Sequence, residues 1–227
     1  PSPDHFMDSD HVIEIHGGAI QVDAMGDGLD SNSSIVMNGG SAVICGPDDG
    51  ANGALDYEGV FAMNGGILVA LGSSQMAMAP SSSSKQYGLM IHTSMQEAKS
   101  IAYLSDEAGN MIIGFTSPRA YSSIVISTPQ LQAQQTYQLY VNASGGNVND
   151  NGYIESGIQE GTLAETITLS QQMTVSGNAG MNGMEFHGGM RDQGGMETQG
   201  REPMEFDGQF PQEPPQMKEG GKDAFRQ

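Results

Sequence analysis

The sequence predicts an all-β protein in which right-handed parallel β-helix coils (residues 1–79) precede a small antiparallel β unit (residues 80–176). Three observations indicate this fold: Gly-Gly pairs at periods of 22 and 26 residues, short alternating apolar runs beside each pair, and hairpin-like sequence after Pro80. Residues 177–227 contain no Ile, Leu or Val, so they are predicted to be a low-complexity, disordered tail.

The repeats place apolar residues at equivalent positions of successive coils. Gly-Gly pairs stand at 17–18, 39–40 and 65–66, and one alternating three-residue run precedes each pair while another follows it, at 20–22, 42–44 and 68–70. Such alternation bounded by Gly and Asn is typical of short, half-buried strands. One coil has too little apolar surface to fold alone, so the coils are expected to stack around a shared core. The expected columns are Ile13, Ile35 and Phe61; Ile15, Met37 and Met63; Val22, Ile44 and Ala70; and, at the turn, His16, Asn38 and Asn64.

The period and composition favour a parallel β-helix over other solenoids. Leucine-rich repeats have a similar period, but their Leu pattern and their helical half are missing from this chain. The handedness of crossover connections makes a right-handed coil the expected form.

Carboxylates recur at a fixed distance from the apolar columns. The members are Asp8, Asp30 and Asp56, five residues before the first apolar column, and Asp10, Asn32 and Glu58, two residues further on. Adjacent strands lie about 4.8 Å apart, and two carboxylates near that distance repel by roughly 1–3 kcal/mol. No Lys or Arg is nearby in the sequence to neutralise them. Oxygen ligands without His or Cys suit Ca²⁺ better than Mg²⁺, so the columns predict bound calcium.

Further acidic residues extend this hypothesis, and an alternative stays open. Asp27 lies one loop before the second coil's carboxylate, and Asp48 and Asp49 lie in the insertion that lengthens that coil, so all three are candidate ligands. Alternatively, Asp and Asn occupy coil corners because they favour turns and cap backbone groups. Tyr57 is the candidate sugar-binding residue, because the chain has no Trp and the repeats contain no other Tyr.

The charge distribution excludes some classes of partner. The formal net charge is −19, and the first 84 residues contain eleven Asp and Glu but no Lys or Arg. Such a surface repels nucleic acid and anionic membranes and attracts cations. No apolar run is long enough to span a membrane. The single cysteine, Cys45, excludes an intramolecular disulfide and fits no zinc pattern.

The pattern after Pro80 changes to that of antiparallel hairpins. Two apolar runs, 101–104 and 111–115, flank the turn-forming run 106–110. Such a unit is expected to cap the open end of the solenoid, because exposed strand edges pair with other chains. In the tail, repeated Met-Glu-Phe and Gly-Gly-Met sequences are candidate contact points for a protein partner, the alternative being a flexible extension.

Several motifs together resemble a known family. They are the Asn-Gly-Ala-Leu-Asp-Tyr run at 52–57, the Asn-Gly-Gly turn at 64–66, the Met-Ala-Pro-Ser-Ser segment at 78–82 and the Tyr-Ser-Ser-Ile-Val-Ile run at 121–126. Over residues 11–176 the chain resembles the C-terminal part of a family of secreted bacterial carbohydrate-binding β-helix proteins with a pectate-lyase-like fold.

The resemblance implies a polysaccharide- or cell-surface-binding role with bound calcium, because members are described as calcium-bearing binders of cellulose and acidic plant-wall polysaccharide. It also implies an extracellular or cell-surface location. The acidic positions of the matching Gly-x-Leu-Asp motifs are Asp27, Asp30 and Asp56. The chain departs from the family in its few coils and its Met-rich tail, and we therefore expect N-terminal coils to be missing.

Three functions are compatible with these observations. The first is a non-catalytic polysaccharide-binding protein, in which calcium bridges the acidic coils to an anionic glycan. The second is a structural or adhesive surface scaffold that calcium makes rigid. The third is a calcium-dependent lyase or a glycosidase, for which Arg119, His11 or His16 would be the nearest bases. The coils contain no Arg or Lys, and Asn replaces His16 in its column, so the sequence favours a binder.

Overall fold

The computed structural model describes residues 11–177, and every regular element within that range is a β-strand. The all-β class is therefore confirmed for this part of the chain. Two of the predicted ligands, Asp8 and Asp10, lie outside the described residues, as does the predicted tail beyond Gly177.

The first half of the described chain is built from eight short strands joined by Gly-rich turns. Their bounds are β1 (Ile13–Ile15), β2 (Ala19–Asp23), β3 (Leu29–Ser31), β4 (Ile35–Met37), β5 (Ser41–Cys45), β6 (Leu55–Tyr57), β7 (Phe61–Met63) and β8 (Ile67–Gly72). They form three parallel stacks, β1-β4-β7, β2-β5-β8 and β3-β6. The apolar columns that the repeats predict are confirmed by the register, which pairs Ile13 with Ile35 and Phe61, Ile15 with Met37 and Met63, and Val22 with Ile44 and Ala70.

The Gly-Gly turns fix this register because the second glycine adopts a backbone that other residues rarely reach. Gly18, Gly40 and Gly66 have φ angles of 82°, 84° and 94°. A Cβ on Gly66 would lie 2.7 Å from the carbonyl oxygen of Gly40 in the preceding coil. Side chains beside the turns also stack, since the Asn64 amide donates to Asn38 Oδ1 at 3.0 Å. The repeated turns therefore hold the strands of each repeat in register with those of the next repeat.

The second half of the described chain supplies eight more strands. Their bounds are β9 (Gly88–Gln96), β10 (Ile101–Asp106), β11 (Met111–Thr116), β12 (Tyr121–Ser127), β13 (Thr136–Gly145), β14 (Ile158–Gln159), β15 (Thr162–Thr168) and β16 (Met173–Gly177). Strand β12 pairs antiparallel with β8, β9 pairs antiparallel with β12, and β16 pairs parallel with β9. The result is one six-stranded sheet of order β16-β9-β12-β8-β5-β2. The predicted boundary at residue 80 therefore falls between two strands of a continuous sheet.

The remaining strands form a five-stranded antiparallel sheet. Its order is β11-β10-β13-β14, with β15 also paired to β13. The predicted hairpin is confirmed, because Ile101 pairs with Thr116 and Leu104 with Ile113 around the turn at 106–110.

The six-stranded sheet separates two hydrophobic cores. Every residue of β5 is buried, because alternate side chains point to opposite faces and both faces are covered. Ile44 and Ala70 contribute to the core inside the coils, whereas Val43 and Val69 contribute to the core shared with the five-stranded sheet. The second unit therefore does two things: β12 covers the open edge of β8, as a cap should, and the five-stranded sheet packs on the flank of the coils.

A serine-rich segment covers the edge of β7. The Oγ atoms of Ser81 and Ser84 accept hydrogen bonds from the main-chain N–H groups of Phe61 and Met63, both at 3.0 Å. The carbonyl oxygen of Met63 accepts from Gln86 N at 3.0 Å. These contacts replace the strand that another coil would have provided, so the serine run at 81–84 ends the β1-β4-β7 stack.

Ser84→Ala is expected to lower the free energy of unfolding by about 1–3 kcal/mol, because it leaves the buried N–H of Met63 without an acceptor. The neighbouring Ser83 is exposed, so Ser83→Ala is the matched control and should change stability by less than about 0.5 kcal/mol. Urea unfolding of both variants measures the difference. Equal stability of the two would show that Ser84 does not cap β7.

Candidate functional site

Two of the predicted carboxylates stack in register. Asp30 of β3 and Asp56 of β6 are Cα partners in a parallel pair, between Leu29–Leu55 and Ser31–Tyr57. Parallel neighbours are about 4.8 Å apart, so the two side chains extend from adjacent rungs of the same sheet. The predicted stacking of these two residues is confirmed.

Three other predicted residues adjoin this pair. Asp27 reaches across to the next coil, where its Oδ1 accepts a hydrogen bond from Gly53 N at 2.8 Å. The main-chain N–H of Glu58 donates to Ser31 O at 3.1 Å, which continues the strand register to Asn32 and Glu58. We call this set the acidic edge, and it consists of Asp27, Asp30, Asn32, Asp56 and Glu58.

Asp56 lies among the negative charges of the acidic edge. Its pKa is raised above the usual value of 3.8, first by desolvation and then by the negative charges of Asp27, Asp30 and Glu58. A backbone hydrogen bond at Tyr57 lowers this pKa, and no Lys or Arg is among the groups that act on it. The carboxylates are thus close enough to repel one another, and no basic side chain of residues 11–177 offsets this repulsion at Asp56.

The two aspartates of the insertion, unlike the residues of the acidic edge, do not act on Asp56. Asp48 and Asp49 are exposed in the loop between β5 and β6, and neither is among the charges that shift the pKa of Asp56. Asp49 Oδ1 accepts a hydrogen bond from Ala51 N at 3.1 Å, two residues on. This is the local turn contact that the alternative interpretation of the sequence expects.

Tyr57 faces partly into the protein. Its ring packs edge-on against Phe61 with centroids 6.0 Å apart, and its hydroxyl donates to Ala79 O at 2.6 Å. Burial also raises the pKa of Tyr57. The ring is half-buried, which leaves less of it to stack on a sugar than a fully exposed tyrosine would offer.

The candidate bases of a lyase are engaged elsewhere or lie apart from the edge. Arg119 Nε donates to Asp23 Oδ1 at 2.5 Å, which ties the loop before β12 to the end of β2. His16 lies 2.9 Å from Glu14 Oε2 and 3.4 Å from the side-chain amide of Asn38. His16 therefore belongs to the polar ladder at the turns, and none of these residues acts on the pKa of Asp56.

Residues 11–177 contain no group of three or more His, Cys, Asp or Glu side chains arranged to hold a metal ion. A metal site at the acidic edge would therefore need main-chain carbonyl, amide or water oxygens beside the carboxylates, as calcium sites commonly use. Within the same range no helix is long and apolar enough to cross a membrane.

Sequence reasoning missed one surface. Tyr103 and Tyr140 stack on each other on the outer face of the five-stranded sheet, with ring centroids 4.8 Å apart. The alternation of residues along each strand could have indicated that the tyrosines face outward, since each tyrosine is next to a core leucine, Leu104 or Leu139. The pairing of β10 with β13 could not be inferred from the sequence, because the two strands are far apart in the chain and a bulge shifts their register.

The chain matches no protein-family model, and neither the curated proteins nor the solved structures include one that is significantly similar to it.

Proposed function

We propose that this chain is a non-catalytic, extracellular or cell-surface polysaccharide-binding protein that holds calcium at its acidic edge. The observation that carries the proposal is the in-register pair of Asp30 and Asp56, which has further carboxylates beside it and, within residues 11–177, no basic side chain among the groups that shift the pKa of Asp56. We also propose that the stacked strands are coils of a right-handed parallel β-helix, the usual hand of parallel crossovers.

Calcium fits the donors of the acidic edge better than other ions do. The side chains offer only oxygen atoms, which favours a hard cation. Calcium accepts six to eight oxygens in flexible geometry, and main-chain carbonyls and waters count among them. Asp30 and Asp56 would be the central ligands, and main-chain carbonyl, Asn32 amide or water oxygens would complete the coordination, because residues 11–177 bring no three carboxylates together around one point. A bound cation would also remove the repulsion that raises the pKa of Asp56.

An acidic polysaccharide is the class of ligand that this site would recognise. The formal net charge of −19 repels a polyanion, so the glycan carboxylates need a bridging cation. Calcium at the acidic edge would take waters among its six to eight oxygen ligands, and uronate oxygens could replace those waters. The resemblance to secreted carbohydrate-binding β-helix proteins supports the same class of ligand. A lyase is a weaker proposal, because Arg119 is paired with Asp23 and no base adjoins the edge within the described residues.

Retention on polygalacturonate tests this function. The wild-type protein is expected to bind insoluble polygalacturonate in calcium and to be released by EDTA, because calcium bridges the two sets of carboxylates. Asp30→Asn/Asp56→Asn should reduce the bound fraction at least about ten-fold, the effect of losing one well-placed charged contact. Asp48→Asn is the matched control, since it removes the same charge from an exposed loop.

Two results would contradict the proposal in different ways. Unchanged retention of the double variant would remove the acidic edge from the binding site. Failure of the wild-type protein to bind any glycan, with calcium still bound, would favour the surface scaffold. Release of unsaturated sugar from polygalacturonate in calcium would instead favour the lyase.

A further inference from the structure

The outer face of the five-stranded sheet carries a pair of aromatic rings. Tyr103 of β10 and Tyr140 of β13 are cross-strand partners. Their rings are parallel, with centroids 4.8 Å apart and an interplanar angle of 5°. The neighbouring Leu104 and Leu139 are fully buried in the core between the sheets, so the tyrosines point the other way. Both rings are half-buried, which leaves part of each open to solvent.

This face is nearly free of charge in a strongly acidic chain. Strands β10, β11, β13 and β15 contain no basic residue and only two acidic ones, Asp106 and Glu165. Asp106 ends β10 and is held in the hairpin turn by the main-chain N–H and side-chain amide of Asn110, each at 2.8 Å. Glu165 accepts a hydrogen bond from Ser176 of the six-stranded sheet at 2.9 Å, so it faces the inner side. The strands therefore direct no charged side chain beside the tyrosines. In the connection from β14 to β15, the exposed Glu160 precedes Gly161, which packs against Tyr103 and Tyr140.

Uncharged hydrogen-bonding groups extend from the tyrosine pair along the strands. Gln138 lies two residues before Tyr140 on the same face, and its Oε1 accepts a hydrogen bond from the Tyr140 hydroxyl at 3.0 Å. Thr166, the strand partner of Gln138 on β15, is exposed, whereas Ser105, its partner on β10, is buried and adds nothing to this row. Thr136 follows two residues further along, so the polar row runs for about 14 Å from Tyr140.

We propose that this face binds a neutral polysaccharide chain without calcium. A pyranose ring presents C–H groups that pack against aromatic rings, and its hydroxyls exchange hydrogen bonds with amide and hydroxyl groups, the two kinds of group found here. A polyanion would meet the net negative charge of the chain with no cation site on this face, whereas a neutral glycan would not. The inference rests on the proposed polysaccharide-binding function and gives it a second, separate surface.

A protein partner matches this face less well. Leu163, the strand partner of Tyr140, is 49% exposed, but the rest of the row is polar and narrow. Protein interfaces usually need a larger apolar centre than a tyrosine pair with one leucine.

Affinity electrophoresis through gels containing a soluble neutral β-glucan, run in EDTA, tests the inference. The wild-type protein and Tyr103→Phe/Tyr140→Phe should both be retarded, because the phenylalanines keep the stacked rings. Tyr103→Ala/Tyr140→Ala should lose at least about ten-fold in affinity. Leu163→Glu, which places a charge beside Tyr140 without removing a core residue, should also weaken binding and covers the case of a misfolded double variant.

Tyrosine absorbance gives a direct signal of glucan binding, and binding of the Ala variant to polygalacturonate is the control for correct folding. Because the chain contains no Trp, tyrosine difference absorbance reports ring contacts with cellohexaose, and the Ala variant should lose that signal. Calcium-dependent retention on polygalacturonate should stay intact in the Ala variant. Three results would each overturn the inference: the Ala variant keeps the wild-type affinity for glucan, the wild-type protein loses its glucan binding in EDTA, or the wild-type protein binds polygalacturonate but no glucan. Glucan binding that persists while the calcium-dependent binding fails would overturn only the function proposed above.

Discussion

Phe61→Ala is expected to lower the free energy of unfolding by about 3–5 kcal/mol, the usual cost of an aromatic side chain deleted from a packed core. Phe61 is fully buried, belongs to the first apolar column and contacts the edge of the Tyr57 ring. The deletion would leave a cavity at the last rung of the stack, where the serine segment closes the coil. For a domain of this size the midpoint of thermal unfolding should fall by about 2–4 °C for each kcal/mol.

The neighbouring residue provides a matched control for this prediction. Val60 precedes Phe61 in the chain but is 43% exposed, so Val60→Ala should change the free energy of unfolding by about 0.5 kcal/mol or less. Urea unfolding of both variants, with the wild-type protein alongside, gives the comparison. A loss below about 1 kcal/mol for Phe61→Ala would contradict a tightly packed core inside the coils.

Asp56→Asn is expected to have opposite effects on stability without and with calcium. In EDTA at pH 7 the variant should be more stable than the wild-type protein by about 1–2 kcal/mol, because it removes one of two carboxylates that extend from strands about 4.8 Å apart. In millimolar calcium the wild-type protein should gain stability by binding the ion, whereas the variant should gain much less. Thermal unfolding in both buffers measures this reversal.

The pH dependence of the same variant checks the electrostatic cause. The raised pKa of Asp56 means that the folded protein holds the proton more tightly than the unfolded chain does. In EDTA the wild-type protein should therefore lose stability as the pH rises from about 4 through the raised pKa, and this loss should be smaller in Asp56→Asn. Asp48→Asn should follow the wild-type profile, because Asp48 does not act on Asp56. Parallel profiles for all three proteins would contradict the account.

The register of the parallel strands in the first half could be predicted from the sequence because the sequence repeats. Each Gly-Gly pair sets the phase of the strands beside it, so counting from the pair places Ile35 on Ile13 and Asp56 on Asp30. The same counting fails for Asp48 and Asp49, since an insertion has no equivalent in the other coils. Where the repeat holds, spacing alone determines which side chains lie together.

The second half could be predicted only locally. Hairpin β10-β11 followed from its turn, but the pairing of β12 with β8 and of β13 with β10 joins segments with no shared sequence signal. The sequence predicts a half-buried strand at Ala42-Val43-Ile44, although every residue of β5 is buried. Its continuous small and apolar character was the sign that both faces are covered, one by the coil core and one by the second sheet.

Isothermal titration of calcium into the protein tests the central claim most directly. We expect the wild-type protein and Asp48→Asn to bind calcium with a dissociation constant on the order of 10⁻³ M or tighter, as extracellular calcium modules do. The Asp30→Asn/Asp56→Asn variant should bind at least about ten-fold more weakly. Absence of binding heat in the wild-type protein at millimolar calcium, or equal affinity in the double variant, would contradict a calcium site at the acidic edge.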